Sequence, residues 1–338
     1  MIRFFQPSIL GALLLAVFAG LLMPLYFEKP RFSVKQIQTQ PQPQQQEDSA
    51  RSVYDYKLAN PDSNKFSEDW FELVSNDTVL EFLPSGFQKF RFGTSGLLEV
   101  PNLFVPIVPR GLDALPVGDK KAIFIRFMLP LILNANQEIW EQRKILEVAK
   151  NTADYQTIIN IAKMYKINTD ALNSDALVRL ANERVLPVPT SLALAQAAIE
   201  SGWGTSRFSI QGNALFGQWS WSPGSGLKPL EASNSQAVVR SFPELQGSVT
   251  AYMKNLNTHL AYQEFRELRN SYVSDGKWPD GLDLASAMHP YAEIGDHYVD
   301  SIKNIIMQNN LGRFDYSELV NLQETACQTS ANVHFQLA

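Results

Sequence analysis

The sequence predicts a mostly α-helical, α+β body with a small β-hairpin, carried behind an N-terminal transmembrane helix and a disordered linker. Three observations predict it. From Asp119 onward, apolar residues recur at helical spacing in six segments. Strand signals are few, the best being Gln236-Ala-Val-Val-Arg240, paired with a segment near Gly217 to Trp221. Ahead of the body lie a long apolar run and then a stretch dominated by Gln and Pro.

The apolar run follows Arg3, extends from Ile9 to Leu22 and continues through Met23-Pro-Leu-Tyr-Phe27. That approaches the ~20 residues a helix needs to cross a bilayer. A cleaved leader and an uncleaved signal anchor both begin this way. The run is longer than a usual leader core and no clean small-x-small site follows it, which favours the anchor at residues 1–28. Charge alone does not set its orientation, because Arg3 lies before the span while Lys29, Arg31 and Lys35 lie after it. Residues 29–51 form a Gln/Pro-rich flexible linker, too polar to bury a core. Residues 52–118 are expected as an irregular extension that wraps the body. Within it, Leu97 to Arg110 holds three prolines among apolar residues. Proline removes a backbone donor, so this stretch is expected to run extended over a surface rather than inside a sheet.

The body is placed at 119–312, with a C-terminal tail at 313–338. Its first helix carries Ile123, Phe127, Leu131, Ala135 and Ile139 at four-residue steps, and Pro130 is expected to kink or split it. Further helices are expected at Tyr155–Tyr165, Asp175–Val185, Thr190–Glu200, Glu244–His259 and Asp296–Asn309, with Thr190 as an N-cap behind two prolines.

Composition narrows the function. With 45 % hydrophobic and 19 % charged residues, a net charge of −5 and no long basic stretch, the chain is not built to neutralise phosphates, so no nucleic-acid partner is expected. A single cysteine, Cys327, cannot close an internal disulfide. The histidines at 259, 289, 297 and 334 form no metal-binding spacing, so neither a metal nor another cofactor is expected.

The chemistry concentrates around Glu200. A helix from Thr190 places this acid about 15 Å along the axis, in the last turn. Apolar neighbours and the negative end of the helix dipole both disfavour its ionisation and raise its pKa. A carboxylic acid held protonated near neutral pH serves as a general acid. The competing reading is a solvated helix-end Glu. Gly202 and Gly204 permit a sharp exit from the helix. Trp203, Phe216, Trp219 and Trp221 then crowd one short stretch, and flat aromatic faces pack well on sugar rings. Trp203 and Phe216 are expected mainly in the core, and Trp219 or Trp221 along a groove.

Four ordered motifs carry a resemblance. They are Ala195-Gln-Ala-Ala-Ile-Glu200-Ser-Gly-Trp-Gly-Thr-Ser206, Gly212-Asn-Ala-Leu-Phe-Gly-Gln-Trp219, Val239-Arg-Ser-Phe-Pro-Glu-Leu-Gln-Gly-Ser-Val-Thr-Ala-Tyr252 and His289-Pro-Tyr-Ala-Glu-Ile-Gly-Asp-His-Tyr298. Together they resemble the glucosaminidase family that cleaves bacterial peptidoglycan, glycoside hydrolase family 73, and within it the Bax-type subgroup of membrane-associated bacterial proteins. The resemblance spans roughly 97–312, most strongly 187–310, and implies a lysozyme-like fold.

It also implies an endo-β-N-acetylglucosaminidase that cuts the β-1,4 bond after N-acetylglucosamine, with Glu200 as general acid and Tyr291 facing the cleft beside the cut sugar. Glu231 is the acidic residue in the interval where the family places a second carboxylate, and a solvated loop residue is its alternative. The candidate substrate-binding residues within the motifs are Ser201, Trp203, Asn213, Phe216, Trp219, Trp221 and Tyr298. The implied partners are peptidoglycan glycan strands and, through the N-terminal helix, the inner membrane. The expected location is a single pass with a periplasmic body, or the periplasm if the leader is cleaved. A lytic transglycosylase on the same fold and a non-catalytic wall-binding scaffold are the rival readings.

Overall fold

The computed structural model describes residues 91–92, 96–222, 224–229, 237–292 and 295–321. The transmembrane helix expected at 1–28 and the linker at 29–51 lie outside the described residues, as do Glu231 and Cys327. None of the described helices is long and apolar enough to cross a membrane.

A 35-residue helix, α1 (Val117–Asn151), is the spine. Ala122 through Leu133 are buried on every side, so this stretch is apolar all round, apart from Arg126. Pro130 does not divide the helix. It is enclosed by packed neighbours, which hold the helix through the missing backbone bond.

Two shorter helices follow, each with a side-chain cap. Asp154 accepts from Thr157 N at the start of α2 (Tyr155–Met164), and Asn173 accepts from Ala176 N at the start of α3 (Ser174–Arg184). The next helix, α4 (Thr190–Ser201), is buried along its length except at Ile199. Its N-cap position is Pro189, which offers no side-chain bond, so Thr190 is the first helical residue rather than the cap. The free amides are met from a distance: Asp315 Oδ1 accepts from Ser191 N at 2.8 Å and Asp315 Oδ2 from Ser191 Oγ at 2.6 Å.

After α4 come α5 (Arg207–Gly212) and a three-stranded antiparallel sheet of β3 (Trp219–Ser220), β4 (Gly226–Leu227) and β5 (Val238–Arg240). Strand β5 is central and pairs Trp219 with Val239, as the sequence leads one to expect. Next are α6 (Leu245–Thr258), α7 (Gln263–Ser274), the single turn α8 (Gly281–Leu284) and α9 (Asp296–Gln308), with 3-10 turns at Leu260–Tyr262, Ala285–Tyr291 and Leu311–Tyr316. Helix α4 packs against α1, α8, α9 and the Leu311–Tyr316 turn, which places it at the centre of the body.

A second sheet corrects the reading of the proline-rich stretch. Strand β2 (Leu98–Pro101) lies between β1 (Arg91–Phe92) and β6 (Ser317–Val320), antiparallel to the first and parallel to the second. Leu98 and Val100 are buried. Pro101 is the last residue of the strand, and Pro106 and Pro109 fall beyond it, so no proline interrupts the interior of the ladder.

Two buried arginines brace the body, Arg269 the connection that launches α4 and Arg266 the turn after α6. Arg269 donates to the carbonyls of Leu186, Pro187 and Glu183, and Arg266 donates to those of Leu256 and His259 as well as to Glu183 Oε1. Asn136 of α1 clamps Val188 by exchanging bonds of 2.8 and 3.0 Å with its carbonyl and amide. Full burial makes such multiply bonded polar groups rigid struts.

Candidate active site

Glu200 occupies the last turn of α4, and Gly202 ends the helix in the left-handed region at φ 58°. A residue with a Cβ would resist that conformation, so the glycine sets where the acid stands. Glu200 is 6 % exposed. Burial pushes its pKa up to about 7, and the hydrogen bond from Tyr298 opposes part of that rise.

The bonds around this carboxyl have a fixed sense. Tyr252 Oη donates to Gln196 Oε1 at 2.6 Å. That turns the other end of the amide outward, and Gln196 Nε2 donates to Tyr298 Oη at 3.0 Å. Tyr298 then spends its one proton on Glu200 Oε1 at 2.8 Å. Burial holds both tyrosine hydroxyls protonated, with values well above the ordinary one. Oε1 of Glu200 is therefore always an acceptor, and the acid's own proton belongs on Oε2. That atom is buried and has no hydrogen-bond partner. Gln196 and Glu200 stand one turn apart on α4, which is what brings relay and acid to the same face.

Gly217, in the cleft wall, leaves the space beside Oε2 unfilled. Its φ is +60°, and a Cβ there would lie 3.3 Å from Glu200 Oε2. Tyr291 braces the same wall: its hydroxyl donates to Phe216 O at 2.8 Å and its ring stacks on Tyr298 with centroids 5.5 Å apart. Phe216 in turn stacks on Tyr252 at 3.9 Å.

Glu200 opens into a cleft of about 390 Å³. Phe216, Trp219, Trp221 and Tyr291 line it with Glu200, so five of the sequence candidates share one wall system. Tyr298 is buried directly behind the acid. Trp221 is 62 % exposed, a large apolar face left open to a ligand. The aromatic division expected from the sequence holds: Phe216 is core at its back, and both Trp219 and Trp221 lie along the groove.

Three candidate substrate-binding residues face the scaffold instead. Ser201 is fully buried, its hydroxyl donating to Ala197 O and accepting from Gly204 N. Trp203 packs edge-on against Phe124 beneath Lys121 Nζ. Asn213 ends α5 in the left-handed region, and its amide holds the carbonyls of Phe242 and Pro243. Each is committed to the turns that aim Glu200 and Gly217.

Sequence reasoning missed Tyr252, Gln196, Gly217 and Gln218. The side-chain oxygen of Gln218 is buried without a partner and the residue lines the cleft, an acceptor for a sugar hydroxyl or an amide N–H. Gln196 had a sequence signal, since a buried polar residue one turn before a buried acid needs a partner. Tyr252 had none, because its role depends on how α6 packs beside α4.

Comparison with known proteins shows what this arrangement is similar to. Residues 174–311 match the model of the Glucosaminidase family, described as mannosyl-glycoprotein endo-beta-N-acetylglucosaminidase. The match runs from α3 to the start of the last 3-10 turn and includes Glu200. Among curated proteins, Protein bax of Escherichia coli (strain K12) is 34 % identical over 165 residues, 44 % of this chain and 55 % of that protein. The chain thus spans about half the length of this relative. The resemblance to the glucosaminidase family and its Bax-type subgroup is borne out. No solved structure matches.

Proposed function

We propose that the protein is a lysozyme-like glycoside hydrolase that cleaves the β-1,4 bond after N-acetylglucosamine in peptidoglycan strands, an endo-β-N-acetylglucosaminidase. The observation that carries this reading is the buried Glu200, held near a pKa of about 7 with Oε2 unpartnered beside an aromatic-lined cleft. The family match supports the substrate class.

In the proposed reaction, the Oε2 proton passes to the glycosidic oxygen as the C1–O bond breaks, and positive charge grows on C1 and the ring oxygen. Water then adds to C1 and gives up its proton to the Glu200 carboxylate formed in the first step, or to a second carboxylate, leaving a reducing N-acetylglucosamine end. Trp219 and Trp221 hold the sugar faces, Gln218 accepts from a hydroxyl or acetamide, and Tyr291 keeps the wall beside the cut sugar in place. Among the described residues, Glu200 is the one carboxylate lining the cleft. Support for C1 then falls to Glu231, in the connection between β4 and β5, or to the substrate's own acetamido group. On this proposal the apolar N-terminal run tethers the body to the inner membrane, near the glycan on the periplasmic side.

That single described carboxylate also favours a second reading. A lytic transglycosylase needs only one acid, because the sugar's C6 hydroxyl closes on C1. Mass spectrometry of the ends released from purified peptidoglycan separates the two: reducing N-acetylglucosamine ends support the hydrolase, and anhydro-muramyl ends overturn it. Glu200→Gln is expected to release neither. Sedimentation with sacculi and no released fragments from the wild type would leave a wall-binding scaffold.

A further inference from the structure

The cleft that holds Glu200 carries an excess of positive charge that the hydrolysis of a neutral sugar chain does not use. Lys166, Arg240, Lys254 and His259 line it, against the one described carboxylate. The chain as a whole has a net charge of −5, so this is a local inversion of sign. Such a cleft concentrates anions.

None of the three fixed cations has an ion-pair partner among the described residues. Lys254 Nζ lies 4.6 Å over the ring of Tyr165, and Arg240 Cζ lies 4.7 Å over that of Phe242. These ring contacts position the side chains without neutralising them. Lys254 is half-buried, and its ammonium is pushed below the usual range by burial and then by Lys166. His259 is pushed down by burial and then by Lys166 and Arg266. Lys166 ends the α2 segment with φ 54°, a left-handed conformation that a side-chain-bearing residue rarely adopts. Like charges are thus held together at a cost, and Glu200 is the one carboxylate among the described residues that lines the cleft with them.

Nor do the cations act on the acid. What moves the Glu200 carboxyl is burial and the Tyr298 hydroxyl. Their use must lie in something that enters the cleft. Lys166 also precedes the 174–311 segment matched by the family model, so this edge of the cleft is contributed by the turn that follows α2.

We infer that Lys166 and Lys254, with Arg240 and His259 beside them, bind a carboxylate of the substrate, so that the cleft selects acidic glycan strands over neutral ones. This deepens the proposed peptidoglycan reading and rests on it. The carboxylate has two sources of the same chemistry: the lactyl group of muramic acid, or the peptide attached to it. A chitin-like chain offers neither.

The test compares full-length protein with its Lys166→Gln/Lys254→Gln variant on peptide-bearing strands, on peptide-free strands, and on each of these with its carboxyls amidated. Binding is read by co-sedimentation and turnover by released reducing ends. The wild type is expected to bind acidic strands about tenfold or more tightly over neutralised ones, as charge-assisted hydrogen bonds provide. The double variant is expected to lose most of that preference through binding or KM rather than kcat. Preference retained after peptide removal assigns the lactyl group, and preference lost assigns the peptide. Equal binding of acidic and amidated strands by the wild type overturns the inference, as does full preference in the variant. Lys166→Gln alone, at an exposed position, gives a partial loss in a protein that cannot have unfolded for want of a core contact. Absence of turnover on every probe would count against the hydrolase, and co-sedimentation would still decide the carboxylate site.

Discussion

Replacing Glu200 by glutamine is expected to make the protein's stability less sensitive to pH. The native carboxyl holds its proton up to about pH 7, whereas the unfolded chain releases it near the ordinary 4.5. Between those values the native state binds more protons, so the wild type loses stability as pH rises through the window. At about 1.4 kcal/mol per pH unit, the loss between about pH 4 and about pH 8 totals about 3 kcal/mol. The amide of the variant does not titrate and carries no such dependence. Asp315, also pushed up to about 7 by burial, contributes equally to both proteins and cancels in the comparison. The variant should therefore gain about 3 kcal/mol relative to wild type over that range. For a body of this size that is about 6–12 °C in the difference of melting temperatures. Thermal or urea unfolding of both proteins over a pH series reads it directly. Parallel stability curves would mean that Glu200 titrates as a solvated carboxylate, and the general-acid argument would fail with it.

Turnover should follow the same carboxyl, falling as pH rises through about 7, because only protonated Glu200 can donate. Tyr298→Phe removes the bond that holds Glu200 down, so the alkaline limb of the pH–rate profile should move upward; a downward move would refute the assignment. Gly217→Ala is expected to destabilise by about 1–2 kcal/mol through its positive φ and to cut turnover about tenfold by crowding Oε2, read by unfolding and by end-release assays. Asp315→Ala leaves Ser191 N and Ser191 Oγ without their acceptor, and Gly281 N with Ser191 Oγ alone, and should cost about 2–4 kcal/mol in urea unfolding, with no change in the pH midpoint of turnover. Trp221→Ala should raise KM on glycan strands while unfolding stays within about 0.5 kcal/mol of wild type, as its exposure implies.

The helices were legible because each long one buries an apolar face: the expected Tyr155–Tyr165, Asp175–Val185 and Asp296–Asn309 segments match α2, α3 and α9 within a residue or two. The placement of Glu200 was legible too, since a helix apolar along its length puts the acid at its end among buried neighbours, and its burial goes against the competing reading of a solvated helix-end Glu. Helix α7 was not. Two of its buried residues are Arg266 and Arg269, which hydropathy reads as solvent-facing and only the carbonyls of the α3–α4 connection and of the turn after α6 explain. The β2–β6 pairing joins positions 219 residues apart, beyond any local signal, and prolines around β2 argued the other way. The tyrosine relay was hidden for the same reason, because Tyr252, Gln196 and Tyr298 meet only after three helices pack.

One helix ends up with a buried carboxyl at each extremity, and the two are bonded differently. Asp315 sits where the backbone of α4 presents free amides and the positive end of its dipole, and three donors meet it there, although burial still holds its pKa up at about 7. Glu200 sits about 14 Å away, where the same dipole ends negative and one hydroxyl is all the help it receives. The two ends of a single backbone segment thus put chemically similar acids to different uses: one is fastened by donors as a peg, and the other keeps an oxygen unpartnered, with a proton to give when a better base arrives.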